Sequence, residues 1–275
     1  YDTKEERDSV KKMSNTVHES TSFSLTNMKV NIHSKKRDMF YDPANFSISA
    51  SYNKQNEHSP EMETNYTTDH KGSFQYAYNF NPKPWEPFSK VQKVQKVKFL
   101  KEMNIYYLPQ SWAFSTNMHR TFSHMKMRDL AGVASDAMDL TYSKDFTWDR
   151  NVDIKYDLTR NMKFSFQSAM NAIIDEGKYT PEILNGRYFD AEFNHDKYEA
   201  WRDTIQRSLA KWGSPYTYQQ VFTASWNVPF NRIPYLDPLT ANASYNANYN
   251  WNRTASTTKG ENRGNVVTSV QSWQI

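Results

Sequence analysis

The stretch Leu239-Thr-Ala-Asn-Ala-Ser-Tyr-Asn-Ala-Asn-Tyr-Asn-Trp251 decides the fold. Leu239, Ala241, Ala243, Tyr245, Ala247, Tyr249 and Trp251 are apolar, and Thr240, Asn242, Ser244, Asn246, Asn248 and Asn250 between them are polar. Strict period two is the pattern of a β-strand, whose side chains point alternately to opposite faces. Wound as a helix, the same residues would spread all round the axis. At roughly 3.4 Å per residue the strand is about 44 Å long. Tilted by about 40°, it still crosses a bilayer.

A longer example covers 138–158. Met138, Leu140, Tyr142, Lys144, Phe146, Trp148, Arg150, Val152, Ile154, Tyr156 and Leu158 alternate with polar residues from Asp139 to Asp157. The phase passes through Thr159-Arg160-Asn161 and resumes at Met162, Phe164, Phe166, Ser168 and Met170. This spacing predicts a hairpin whose arms show their apolar residues to the same side. Shorter alternations lie at Phe46–Tyr52, Phe74–Phe80, Trp112–Met118, Phe222–Val228 and, more weakly, Val267–Ile275. Between 22 and 32 the phase slips once, from Phe23 and Leu25 to Met28 and Val30, as a bulge requires. About nine strands are expected. The pattern still runs at Ile275, so neighbouring strands are expected outside these residues.

Composition narrows the setting. The 275 residues hold no cysteine and carry formal charge +4. Disulfide scaffolds, Cys-ligated zinc and thiol catalysis are thereby excluded from these residues. Leu, Ile, Val and Phe number only 49, while Tyr, Phe and Trp together make up 15%. Aliphatic poverty can signal disorder, but disorder also needs few aromatics and high net charge. A chain rich in aromatics, Asn, Ser and Thr suits strands with one face wet.

Two stretches break the β pattern. Tyr198, Trp201, Ile205 and Leu209 form one helical stripe over Asp196–Lys211, with Asn194 or Asp196 as cap and Gly213 and Pro215 after the end. The segment 82–101 opens Pro-rich and continues with Lys90, Lys93, Lys96, Lys98 and Lys101. The expected organisation is a mobile charged lead-in at 1–21, barrel strands at 22–174, a helical loop insertion at 175–214 and further barrel strands at 215–275.

Long strands, turn signals too sparse for a sandwich, and an aromatic, Ala-rich face point to a transmembrane β-barrel. The lipid-facing set is then Val152, Ile154, Tyr156, Leu158, Tyr245, Tyr249 and Trp251. The lumen-facing set is Asn242, Ser244, Asn246, Asn248 and Asn250. Lys144 and Arg150 share the apolar phase and would each cost about 2–4 kcal/mol at the bilayer midplane. They are therefore expected beyond the lipid, which implies an extramembrane rim. Alternate connections form two sets. The 159–161 turn, the 229–238 corner, the Tyr41–Ala44 corner and the basic segment 82–108 share one side, read as periplasmic. Polar loops near 53–64, 123–137, 175–214 and 253–265 share the other.

Several pieces resemble the SprA/Sov family, the outer-membrane translocon of the type IX secretion system. They are Phe40-Tyr-Asp-Pro-Ala-Asn-Phe46, Tyr78-Asn-Phe-Asn-Pro-Lys-Pro84 with Glu86-Pro-Phe88, Leu108-Pro-Gln-Ser-Trp-Ala-Phe-Ser115, Phe146-Thr-Trp-Asp-Arg150 with Asp157-Leu-Thr-Arg160, and Ile233-Pro with 239–251. The pieces follow the family's order from about residue 22 onward and cover a small part of a full translocon. The resemblance implies one enormous all-β antiparallel barrel whose lumen passes folded cargo proteins across the outer membrane. It implies as partners the remainder of the barrel chain, a PorV-like shuttle protein, a plug protein, secreted cargo and outer-membrane lipid. It assigns no catalytic residue, cofactor or metal.

Other classes stay open on the residues alone: a soluble secreted β-rich adhesion or glycan-binding module, or a small self-contained porin. The stripe Tyr198, Trp201, Ile205 and Leu209 is a candidate partner contact, weighed against packing on the protein's own rim. The basic run suits anionic headgroups or a solvated loop better than nucleic acid, for which no fold motif is present. Enzymatic motifs are lacking: the seven histidines are scattered, with His119 and His124 on opposite strand faces, and no His-Glu-x-x-His, P-loop or dinucleotide fingerprint occurs.

Overall fold

The protein is seen in a computed structural model that describes residues 3–30, 39–88, 101, 103–128, 141–178, 180–184, 192–230, 236, 238–254 and 264–275. Nine antiparallel strands form one sheet in strict chain order. They are β1 (Val17–Met28), β2 (Phe46–His58), β3 (Met62–Asn79), β4 (Ser111–Met127), β5 (Thr141–Thr159), β6 (Met162–Ile173), β7 (Ser214–Val228), β8 (Ala241–Asn252) and β9 (Val266–Gln274). Each strand pairs with the next in sequence, which gives an up-and-down order even where the connection is long, as between β3 and β4 and between β6 and β7. The protein is all-β with a helical insertion between β6 and β7, and the sheet is not closed: among the described residues β1 and β9 do not pair with each other.

Antiparallel order sends the connections alternately to the two ends of the strands. The β5–β6 turn, the Pro229 corner, the Tyr41 corner and the segment after Phe80 share what we term the lower edge. The β2–β3 turn and the insertion share the upper edge, as the two expected loop sets require. At the Tyr41 corner, Asp42 Oδ2 accepts from Met39 N at 2.7 Å, Pro43 opens a 3-10 turn, and Asn45 Nδ2 donates to the Met39 carbonyl at 2.8 Å. Asp-Pro-Ala-Asn thus closes on itself and delivers Phe46 into β2.

The structure corrects several boundaries. Lys4–Ser14 in the lead-in is helical (α1), and β1 begins at Val17, ahead of the expected residue 22. The stretch 53–64 is mostly strand, with only 59–61 left for the turn. Likewise β4 runs to Met127. The slip near residue 27 is a bulge: register shifts between Leu25 and Met28, with Asn27 at φ 53°. In the insertion, a single turn α2 (Pro181–Leu184) precedes α3 (Glu192–Ala210). The long helix starts before Asn194 and Asp196, so neither caps it. Lys90, Lys93, Lys96 and Lys98, as well as Met138 and Leu140, lie outside the described residues.

At its C-terminus α3 ends in a Schellman arrangement. Gly213 N donates to the Ser208 carbonyl at 2.8 Å and Trp212 N to Leu209 at 2.9 Å. Both Trp212 (φ 64°) and Gly213 (φ 73°) are left-handed. A Cβ on Gly213 would stand 3.0 Å from Ala172 Cβ and from Ile174 Cδ1, so glycine is needed for the close approach to β6 as well as for its φ.

Candidate functional site: a two-faced wall

The ladder joins the alternating strands into two continuous faces. One rung runs Tyr156, Phe164, Ala224, Tyr245, Trp273 from β5 to β9. A chain of ring contacts crosses the same strands: Tyr156 to Phe164 at 6.4 Å, Phe164 to Phe222 at 6.1 Å, Phe222 to Tyr245 at 6.2 Å, and Tyr245 to Trp273 at 4.2 Å. On β2–β4, Phe46, Phe74, Tyr76, Trp112 and Phe114 continue the face. Each such pair is worth about 0.5–1.5 kcal/mol beyond its burial. Trp273 is 74% exposed, Trp112 45% and Ile48 48%, and no second sheet lies over them among the described residues.

The opposite face is mostly polar from β2 to β9, with Ala77, Ala113, Ala169, Val221 and Val270 set into it. One of its rungs reads Ser47, Gln75, Ser115, Asn151, Ala169, Gln219, Asn250, Thr268. Around it lies a trough of about 460 Å³ with Ala77, Ala113 and Ala169 among its lining and Gln75, Asn151, Asp153, Gln167 and Gln219 beside them. Asp145, Asp149, Asp153 and Asp157 face the same way on β5, at every second polar-face position. Asp69 is held there by His119, by Thr121 Oγ1 donating at 3.0 Å, and by Lys71 at 3.7 Å.

The apolar face is not uniform from edge to edge. Its upper part carries Lys54, Thr68, His70, Arg120, His124 and Lys144, and here the insertion lies on it. Arg120 donates from Nε to Glu176 Oε1 at 2.7 Å, from Nη2 to Glu176 Oε2 at 3.1 Å, and from Nη1 and Nη2 to Glu182 at 2.7 and 2.9 Å. The Glu176 side chain is 3% exposed and that of Arg120 13%. Burial alone would raise the Glu182 carboxyl, but hydrogen bonds from Arg120 and its charge outweigh this and hold it below the ordinary range. Lys144 Nζ donates to the Gly177 carbonyl.

Arg150 marks the border between the two parts. Its guanidinium lies 4.6 Å from the Trp148 ring centroid and 5.4 Å from that of Trp212, and the two indoles stack at 5.6 Å. Nη2 donates to the Trp212 carbonyl at 2.8 Å. A left-handed non-glycine residue costs about 1–2 kcal/mol. The ring stack and the cation–π contact offset it. At the lower edge, the segment before β4 braces the β5–β6 hairpin. Tyr106 N donates to Leu158 O at 3.0 Å, Tyr156 Oη to Tyr106 O at 2.7 Å, and Arg160 N to Asn104 Oδ1 at 2.8 Å.

The apolar band also shifts along the strands. Phe46, at the lower end of β2, shares a rung with Tyr76, Phe114, Val152, Ser168, Gln220 and Tyr249. On β8 the apolar residues continue below that rung to Tyr245 and Ala243.

The structure brings the sequence-derived sets together. Val152, Ile154, Tyr156, Tyr245, Tyr249 and Trp251 share the apolar face, and Asn242, Ser244, Asn246, Asn248 and Asn250 share the polar one. Leu158 sits at a register shift between Asp157 and Thr159. Trp201 and Ile205 of the helical stripe point at the protein's own sheet, and Tyr198 packs on Trp201 at 5.4 Å. His119 lies on the polar face and His124 on the apolar one, stacked on Tyr66 at 5.0 Å. Sequence reasoning missed the Arg120 clamp. An arginine on an apolar phase was its one local signal.

What these features define as a class is an antiparallel meander with one aromatic face and one polar face. The sequence matches no protein-family model and no curated protein.

Proposed function

We propose that the sheet is part of the wall of an outer-membrane β-barrel, its aromatic face on lipid and its polar face on a water-filled lumen. The observation that supports this is the aromatic face running across β2–β9, over which no second sheet lies among the described residues. Exposed apolar surface on this scale has no stable place in water. The interior strands β2–β8 each pair with a neighbour on both sides, the arrangement a bilayer demands. Within that reading, the ordered motifs from Phe40 to Trp251 support a SprA/Sov-type translocon that exports folded cargo in the type IX secretion system. Its companions would be a PorV-like shuttle and a plug protein. The wall does no chemistry in this proposal. An uncharged Asn and Ser surface on β8 lets a passing protein slide with weak adhesion.

Because these 275 residues hold no cysteine, single cysteines on β8, in the full-length protein cleared of any cysteine elsewhere, provide the test. In intact outer membranes, Ser244→Cys, Asn246→Cys and Asn248→Cys should react with a membrane-impermeant maleimide. Ala243→Cys and Ala247→Cys should react only with a lipid-soluble one. Equal reaction on both faces would sink the membrane reading. For the conduit, Asn246→Trp with Asn248→Trp should slow export and retain cargo in the periplasm. Unchanged export would leave a barrel with another task.

A further inference from the structure

Between α3 and the sheet lies a groove of about 500 Å³, within the range of small-ligand sites. Ala50, Gly72, Met118 and Phe146 line its sheet side, and Trp201 and Ile205 its helix side. Ala50, Gly72 and Met118 share one rung of the apolar face. A Cβ on Gly72 would meet nothing within 4 Å, so no described residue fills the space above it. The helix is not free to settle into it. Asp175 N donates to Ser208 Oγ at 3.1 Å, Gly213 ties the C-terminus of α3 to β6, and Arg120 locks 176–182 to β4.

Two features say what fits. First, the exposed lining is mostly apolar, with Ser51, His70, Lys71 and Arg120 also bordering it, and the adjoining rung, Ile48, Phe74 and Thr116, leads at the level of Arg150 onto the lower part of the same face. A hydrocarbon chain on that face could continue into the groove without leaving apolar surroundings. Second, Trp201 Nε1 is buried with no hydrogen-bond partner among the described residues. A buried unpaired donor costs about 1–3 kcal/mol and calls for an acceptor. Arg120 does not compete for one, since its Nε and both terminal nitrogens already serve Glu176 and Glu182. The ligand therefore combines a long apolar chain with one neutral acceptor.

We propose that the groove holds one acyl chain of a bilayer lipid, its ester carbonyl accepting from the Trp201 indole. This rests on the membrane reading above. The insertion then clasps a lipid against the outside of the wall and leaves the polar face unobstructed.

The test uses the full-length protein in phosphatidylcholine nanodiscs whose lipid carries a photoactivatable diazirine on one acyl chain. After irradiation and digestion, adducts are expected on the peptides of Ile205 and Met118 as well as on that of Phe222, which lies on the bare face. Gly72→Phe fills the groove and should cut labelling at Ile205 at least fivefold while labelling at Phe222 persists, which also reports that the variant has inserted. Trp201→Phe keeps the shape, removes the N–H and should lower labelling at Ile205 severalfold. Absent labelling at Ile205 in the unmodified protein, or labelling insensitive to both substitutions, overturns the lipid site. Loss of labelling at Phe222 in the unmodified protein would instead overturn the membrane reading itself.

Discussion

The upper and lower parts of the apolar face are built on the same strands yet differ in what they show. Below Arg150, the strands carry mainly Phe, Tyr, Trp, Ala and Val, with no second sheet over them among the described residues, held to one another by ring contacts. Above it, the same phase carries Lys54, His70, Arg120 and Lys144, and the insertion covers part of it. The lesson is that one strand can address two solvents in succession. Charge is absent where there is nothing polar to meet it and present where folded protein supplies a partner.

The sharpest break in this comparison is Arg120→Ala. It strands the Glu176 carboxylate, whose side chain is only 3% exposed, and removal of one partner from a buried ion pair costs about 3–5 kcal/mol. Hydrogen exchange in 174–184 should accelerate while β7 and β8 stay protected. Replacing Arg120, Glu176 and Glu182 together by apolar residues of like volume should recover most of the loss. If the single substitution is silent, the insertion is held by other contacts.

Next in size is a charge placed in the bare part. Phe222→Arg, amid Phe164 and Tyr245, should cost about 2–4 kcal/mol in a bilayer. Asn246→Arg, a rung away on the other face, should cost under about 0.5 kcal/mol. Denaturant titration of the protein folded into vesicles measures both. Equal costs would erase the distinction between the faces.

At the border itself the effect is smaller. Trp212→Ala removes the stack on Trp148 and one side of the Arg150 sandwich, for a loss of about 1 kcal/mol. Trp212→Gly loses the same contacts but relieves the left-handed backbone. It should be the more stable of the two by roughly 1 kcal/mol. The reverse order would mean that the φ of Trp212 is not a source of strain.

The same division explains which parts of the fold were legible in the sequence. Period two appears only where the two faces of a strand meet different surroundings. Ala241–Trp251 and Val152–Tyr156 satisfy that, and their alternation matches β8 and β5, whereas Leu239 lies ahead of β8 and Leu158 at a register shift. Asn53–Glu57 is strand too, but Asn53, Lys54, Gln55, Asn56 and Glu57 are polar on both sides, and the stretch reads as a loop. Val17–Ser22 is hidden for the same reason, its pairing to Asn53–His58 carried by the backbone ladder with one long Asn56 Nδ2 to Glu19 Oε2 hydrogen bond at 3.5 Å. The clamp was illegible for another reason. Glu176 and Glu182 are 56 and 62 residues from Arg120, and only the return of the chain over β4 brings them together. The groove beneath α3 depends likewise on tertiary placement, of which Gly72 alone gives no hint.

The smallest expected effect concerns pH, and it separates the covered part from the bare part without any substitution. Glu182 is held below the ordinary carboxylate range because Arg120 bonds its charged form more strongly than burial disfavours it. A group whose folded-state pKa is depressed stabilises the fold fully above its unfolded value, about 4.3, and loses that contribution as pH falls through the lower folded value. Between pH 8 and 6 the clamp should therefore be indifferent to pH. Its opening, followed as deuterium uptake at 174–184, should rise only below about pH 4. The rungs from Tyr156 to Trp273 carry no carboxylate on the apolar face, so their protection should not change over the same range. A clamp that loosens between pH 8 and 6 would place the controlling proton on a group other than Glu182.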